Sequence, residues 1–280
     1  MKLRSHALAL AAAALLSQLD VRELLDRRTT DWQIARLRGN PAVLVIEFPN
    51  LAEQGAAMNR IAALLEKAGA PRDRVLNDAA LAELIRRHGD NPQTFYQGHN
   101  YLAAQLARFY TMAARQGQSL NLQEERLRKT LVDAHVLGRD GDATIAQGLQ
   151  AVVSYTATQR DDPTTRMDES IDDRRRESVL RHELSHGLYF TNRAYRDHCW
   201  RFWRERLTED ERERLRRMLV RLNYDGANED LIVNEAQAFL MHTPDDRAFN
   251  AASLGIAERQ LSDLRRRFMQ GAPRLRELGR

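Results

Sequence analysis

This 280-residue chain predicts a predominantly helical α+β fold, and three observations carry that expectation. Apolar residues recur at intervals of three and four through most of the chain, the period of a helix buried on one face. Only two runs combine β-branched and apolar residues as strands do: Ala42 to Phe48, bounded by Pro41 and Pro49, and Ala151 to Thr156. No repeat, low-complexity tract or Gly/Ser linker divides the sequence. Residues 21–280 therefore read as a single α-rich domain, with the chemistry-bearing half at about 150–245.

Taken in order, Lys2 and Arg4 precede an uncharged run from Ala7 to Leu16 with small residues near Ala12 to Ala14. That pattern predicts a secretory signal within residues 1–20 and an extracytoplasmic location, periplasmic or secreted. A cytoplasmic protein is the alternative, because Leu15, Leu16, Leu19, Leu24 and Leu25 continue a helical spacing past the run. The run is shorter than the roughly 17 to 25 residues that span a bilayer, so no transmembrane segment is expected. After the strand at 42–48, helical periodicity covers Leu51 to Lys67, Asp78 to Arg87, Tyr101 to Arg115 and Leu122 to Val136, with Gly69, Pro71, Gly89, Pro92 and Gly117 as breakers.

Gly138 to Asp142 carries paired Asp suited to a hairpin turn, and no complete calcium-loop pattern follows. Phe95 to Tyr101 is an aromatic and polar cluster after a Pro turn, read as a loop stapled to the core in preference to a cleft wall. Beyond the polar connection 160–170, Ser170 or Asp172 can cap the next helix. Thr208 with Glu211 forms a capping box for a helix reaching Leu222, Asn223 to Gly226 turns the chain, and Asn228 can cap a final helix.

Composition narrows the function. With 43% hydrophobic and 29% charged residues the chain can bury a sizeable core. Net charge is +4, and the Arg clusters at 174–176, 212–217 and 265–267 lie among acids, which suits ion-paired faces better than a phosphate-tracking surface. No nucleic-acid partner is expected. One cysteine, Cys199, forms no internal disulfide and reads as a small buried hydrophobe.

The most informative stretch is His182-Glu183-Leu184-Ser185-His186. On a helix, positions four apart share a face and lie about 5 to 6 Å apart, so two imidazoles can reach one ion at about 2.0 to 2.1 Å. Glu183, one residue after the first imidazole, can hold a water beside the ion and take its proton without occupying a ligand position. A chance occurrence of the pattern in such a chain is on the order of one or two in a hundred. Val179, Leu180, Leu184 and Leu188 give this helix an apolar stripe, and Gly187 removes bulk beside His186.

A catalytic zinc site uses three protein ligands. Tyr189 and Asn192 stand where the extended pattern with a third histidine needs Gly and His, so that class is excluded. Among Asp197, His198, Cys199, Glu205, Asp225, Glu229, Asp230 and Glu235, only Glu235 interrupts an apolar stripe, made by Leu231, Ile232, Ala238 and Phe239. A carboxylate buried there needs a cation or a hydrogen-bonded partner, and zinc or an arginine would serve.

His182-Glu183-x-x-His186 followed by Asn234-Glu235-Ala236 resembles the gluzincins, the zinc metallopeptidases with a glutamate third ligand. The resemblance covers about residues 178 to 241, and 48 residues separate His186 from Glu235, more than in the thermolysin-like arrangement. It implies a zincin-like fold with a small β-sheet before the metal helix. It also implies Zn²⁺ held by His182, His186 and Glu235, Glu183 as general base, and a peptide or protein substrate. An edge strand before the metal helix, here Ala151 to Thr156, would pair with extended substrate; the alternative for that run is a plain core strand. Phe239 departs from the pattern by standing where many relatives carry an acidic residue that orients a ligand. A donor for the developing oxyanion is sought among Tyr189, Tyr195, Tyr224, His198 and His242. The rival readings are a non-catalytic zinc-binding or helical interaction protein, and a zinc amidase acting on a non-peptide amide.

Overall fold

The structure, a computed structural model, describes residues 16–278. Of the leader expected over 1–20, residues 1–15 lie outside the described residues. Gln18–Leu19 (β1) pairs parallel with Gln33–Leu37 (β2), and Asp20 caps the short helix Val21–Asp26 (α1). β2 returns antiparallel into Asn40–Phe48 (β3). Then come Leu51–Leu65 (α2), Asp78–Arg87 (α3), His99–Leu102 (β4), Ala103–Arg115 (α4) and Leu122–Asp133 (α5). The hairpin Leu137–Asp140 (β5) and Ala143–Ala146 (β6) follows, then Ala151–Thr156 (β7).

The main sheet runs β1-β2-β3-β7-β4, with β3 and β7 parallel and β4 antiparallel to β7. Val43 and Val45 of β3 face one hydrophobic cluster while Leu44, Ile46 and Phe48 face another. Because helices cover both faces, β3 and β7 show near-continuous apolar runs where a half-exposed strand would alternate. The sequence marked those two strands for that reason. It left the shorter and more polar β1, β2 and β4 unread.

β7 lies inside the sheet, paired on both sides, so of its two readings the core strand holds and the edge strand is corrected. The edge next to it is β4, and Tyr101, placed by periodicity in a helix, belongs to that strand. The helix expected over 122–136 stops at Asp133, and His135 takes a left-handed backbone with φ of 54°. The Asp-Gly turn at 140–142 does close a hairpin, β5 to β6.

The chain then enters Asp173–Thr191 (α6), capped by Asp172 accepting from the Arg175 N–H at 2.8 Å. Both Asp172 carboxylate oxygens are held by Arg247, at 2.7 and 2.9 Å. A Cβ at Gly187 would sit 2.9 Å from Val43 Cγ1 and 3.3 Å from Val153 Cγ1, so glycine lets α6 lie directly on β3 and β7. Asn192 caps Arg193–Arg201 (α7), which passes through the π-helical turn Phe202–Arg206. The Thr208 capping box opens Glu209–Arg221 (α8). Asn223, with φ of 67°, turns the chain into Glu229–His242 (α9), capped by Asn228. Ala251–Leu254 (α10) and Glu258–Met269 (α11) close the layer. Among the described residues no helix is long and apolar enough to cross a membrane.

Candidate metal centre

α6 and α9 pack against each other, and that contact places Glu235 opposite the His182 and His186 rings. One turn of α6 sets the two ring centroids 4.7 Å apart. Nε2 of His182 is 3.5 Å from Oε2 of Glu235, and Nε2 of His186 is 3.5 Å from Oε1. A tetrahedral ion bonded at about 2.0 to 2.1 Å separates its donor atoms by about 3.3 to 3.4 Å, so these edges fit one ion. Among the described residues Nε2 of His186 and Oε2 of Glu235 are buried with no hydrogen-bond partner, although such atoms in a folded interior are nearly always paired. The three side chains form a buried cluster able to hold a metal.

Two contacts aim the rings. Nδ1 of His182 lies 2.8 Å from Thr243 Oγ1, whose own hydrogen goes to the Ala238 carbonyl at 3.0 Å. The hydroxyl oxygen must then accept from Nδ1–H, which leaves the Nε2 lone pair free. Nδ1 of His186 lies 2.9 Å from Asn234 Oδ1, an acceptor, with the same consequence. The Phe239 ring meets His182 edge-on at 4.8 Å, so that face of the imidazole rests on an apolar wall where an acid was expected. Orientation falls instead to Thr243 and Asn234. Thr243 lay outside every motif, and Asn234 stood in one without a role assigned to it.

Burial sets the charge state. It pushes both His182 and His186 down to about 4, so the rings are neutral at ordinary pH, as ligands must be. It raises Glu235, opposed by the neighbouring His186 and the Tyr224 phenol. Glu183 is raised well above the carboxylate range, chiefly by burial and further by the charges of Glu235 and Glu66, while a hydrogen bond from Asn100 opposes. Carboxyls that repel one another in a shared low-dielectric space favour a cation among them.

Glu183 is 7% exposed and lines a cavity of about 420 Å³ together with His182, Glu235, Tyr224, Asn100 and Gly98. The Asn100 amide donates to its Oε2 at 2.9 Å. A Cβ at Gly98 would lie 2.5 Å from its Oε1, so the chain just before β4 passes against this carboxyl. The 95–101 cluster thus does two things. Phe95 is core, but Tyr96, Gly98 and Asn100 line the cavity, which corrects the purely structural reading of that stretch.

The other candidate ligands are engaged elsewhere. Asp197 meets Arg193, Asp225 accepts from the Ala227 N–H, Glu229 accepts from Trp203 and Arg216, and Asp230 accepts from Tyr189 and Arg196. His198 meets the Phe268 carbonyl, and burial pushes the Cys199 thiol up. Glu205 lines a separate, open depression of about 790 Å³ beside Trp200 and Tyr189. Of the possible oxyanion donors, Tyr195 and His242 bond each other away from the cavity, leaving Tyr224 as the one that lines it. Burial raises that phenol well above its usual range, so its O–H remains a donor.

Comparison with protein-family models, with curated proteins and with solved structures finds no match to this chain.

Proposed function

We propose that the chain is a zinc-dependent hydrolase of the gluzincin kind that cleaves peptide bonds. One observation carries the reading: unpartnered nitrogen and oxygen atoms of His186 and Glu235 converge with His182 beside an open cavity, and a buried glutamate stands in that same cavity. Two neutral imidazoles, each with Nε2 3.5 Å from an oxygen of one carboxylate, suit Zn²⁺ better than harder cations, which prefer all-oxygen shells. A zinc ion bound there would supply Lewis acidity toward a carbonyl and lower the pKa of a water.

The chain's residues would do the rest. Glu183 takes a proton from the attacking water and returns it to the leaving amine, a role suited to a carboxyl whose pKa burial has raised. Asn100 fixes one of its oxygens and Gly98 the space behind it, so the base faces the cavity in one orientation. Tyr224 donates its hydroxyl where negative charge develops on the substrate oxygen. The outer edge of β4, with no partner strand among the described residues, offers backbone groups to an extended peptide, the task considered above for β7.

The test combines metal analysis with digestion of a broad peptide library. One zinc per chain and cleavage by the wild type, with zinc kept but cleavage lost in Glu183→Gln, supports the proposal. Stoichiometric zinc with no cleavage of any peptide overturns it in favour of a non-catalytic metal protein or an amidase of other substrates.

A further inference from the structure

The cavity wall holds a third carboxylate that the hydrolytic scheme does not use. Glu66, the residue that ends α2, lines the same cavity as His182, Glu183 and Glu235. Its position is electrostatically adverse, since a helix C-terminus carries partial negative charge and favours cations. Its recorded side-chain hydrogen bond comes from the Tyr101 hydroxyl, at 2.8 Å. Both nearby cations are committed elsewhere. The Lys67 ammonium lies 3.7 Å from Asp90 and 4.2 Å above the Phe95 ring, while Arg72 donates to the carbonyls of Ala63, Leu64 and Lys67.

Charge balance sharpens the point. Among the described residues the charged ones lining the cavity are Glu66, Glu183, Glu235 and Arg247, and Arg247 is paired with Asp172 and Asp245. A divalent ion offsets two carboxylates. The third carboxyl is left with no cation of its own among the described lining residues, and Oε2 of Glu235, 2% exposed and unpartnered in the same cavity, already marks the space as built for ligands.

We propose that Glu66 selects substrates by a positive group, an ammonium or a guanidinium, which it binds within this cavity. The inference rests on the hydrolase reading of the site. Burial raises the Glu66 carboxyl to about 8, with the charge of Glu235 adding and Tyr101, Lys67 and Arg72 opposing. A carboxyl so placed gains more from an arriving cation than one already paired in water. The cation has two sources in a peptide, a lysyl or arginyl side chain and the α-ammonium.

Binding separates them without relying on turnover. Zinc-loaded full-length protein carrying Glu183→Gln is titrated with three labelled peptides: one blocked at both ends with a lysine, its norleucine counterpart, and the norleucine peptide with a free N-terminus. A charge-assisted contact predicts at least about tenfold tighter binding for a charged peptide than for the blocked neutral one. Adding Glu66→Gln or Glu66→Ala should reduce that preference to about twofold or less, with the unfolding midpoint checked for each variant. Whichever charged peptide is favoured identifies the source. Equal affinity for all three peptides, no binding of any, or a preference that survives both Glu66 substitutions overturns the proposal. A preference for cations without cleavage by the wild type would instead leave Glu66 in its role and remove the hydrolase reading.

Discussion

Gly98→Ala isolates the positioning of Glu183 from its chemistry. The added Cβ would stand 2.5 Å from Glu183 Oε1, 2.7 Å from Cγ and 2.8 Å from Cδ, whereas ordinary contact begins at 3.4 Å. The carboxyl must therefore retreat by about 0.9 Å. Gly98 has no positive φ, so alanine adds no backbone strain, and the glutamate borders an open cavity into which it can move. Stability should change by less than about 1 kcal/mol. A misplacement near 1 Å costs a catalytic group on the order of a hundredfold in rate. The assay is kcat on a cleaved peptide, with zinc content and thermal midpoint measured on the same sample. A Gly98→Ala protein with wild-type kcat would refute the claim that this close approach positions the base. One that has lost zinc would show that Gly98 supports the metal ligands instead.

Three further outcomes follow from the same geometry. Glu235→Gln keeps the volume but removes a buried charge, so the metal-free protein should gain about 1 to 3 kcal/mol while zinc no longer raises its stability, as read by thermal unfolding with chelator and with zinc. Asn234→Leu leaves Nδ1 of His186 without its acceptor and should weaken zinc binding about ten- to a hundredfold in a competition titration against a chromophoric chelator. His99, buried between β4 and β7 with Nδ1 on Ser154, has its pKa pushed down by burial to about 3 from an ordinary 6.5. Its neutral ring is favoured in the fold, so its contribution to stability is complete above about pH 6.5 and is lost as pH falls from there toward 3. The loss reaches about 1.4 kcal/mol per pH unit at most, and urea unfolding from pH 4 to 8 should show a shallower slope in His99→Gln than in the wild type.

Much of the site was legible because its chemistry is local. His182 and His186 owe their meeting to a single helix and a spacing of four, and Glu235 stood out as a lone charge in an oily stretch, whose partner helix α6 the fold supplied. β3 and β7 were legible because both faces of each are buried, which concentrates Val, Ile and Leu. What stayed hidden depends on long-range packing. Nothing near Asn100 or Gly98 in the sequence points to Glu183, because the contact crosses 83 residues and arises from β4 docking at the sheet edge. Thr243 lies past the end of α9 and meets His182 only through the angle between two helices. Glu66 was not singled out in the sequence, since charge balance within a cavity has no periodic signature. Placing β7 at the edge failed for a related reason: strand order is set by which strand fills the last position, and β4 is too short to have been seen.

The account stands on three donor atoms meeting at one ion, and zinc-edge X-ray absorption of the purified full-length protein tests that directly. Two imidazole nitrogens and carboxylate oxygen at about 2.0 to 2.1 Å, with the oxygen contribution altered in Glu235→Gln, is the expected spectrum. A shell containing sulfur, a shell with no imidazole scattering, or one unchanged by the loss of Glu235 would contradict it.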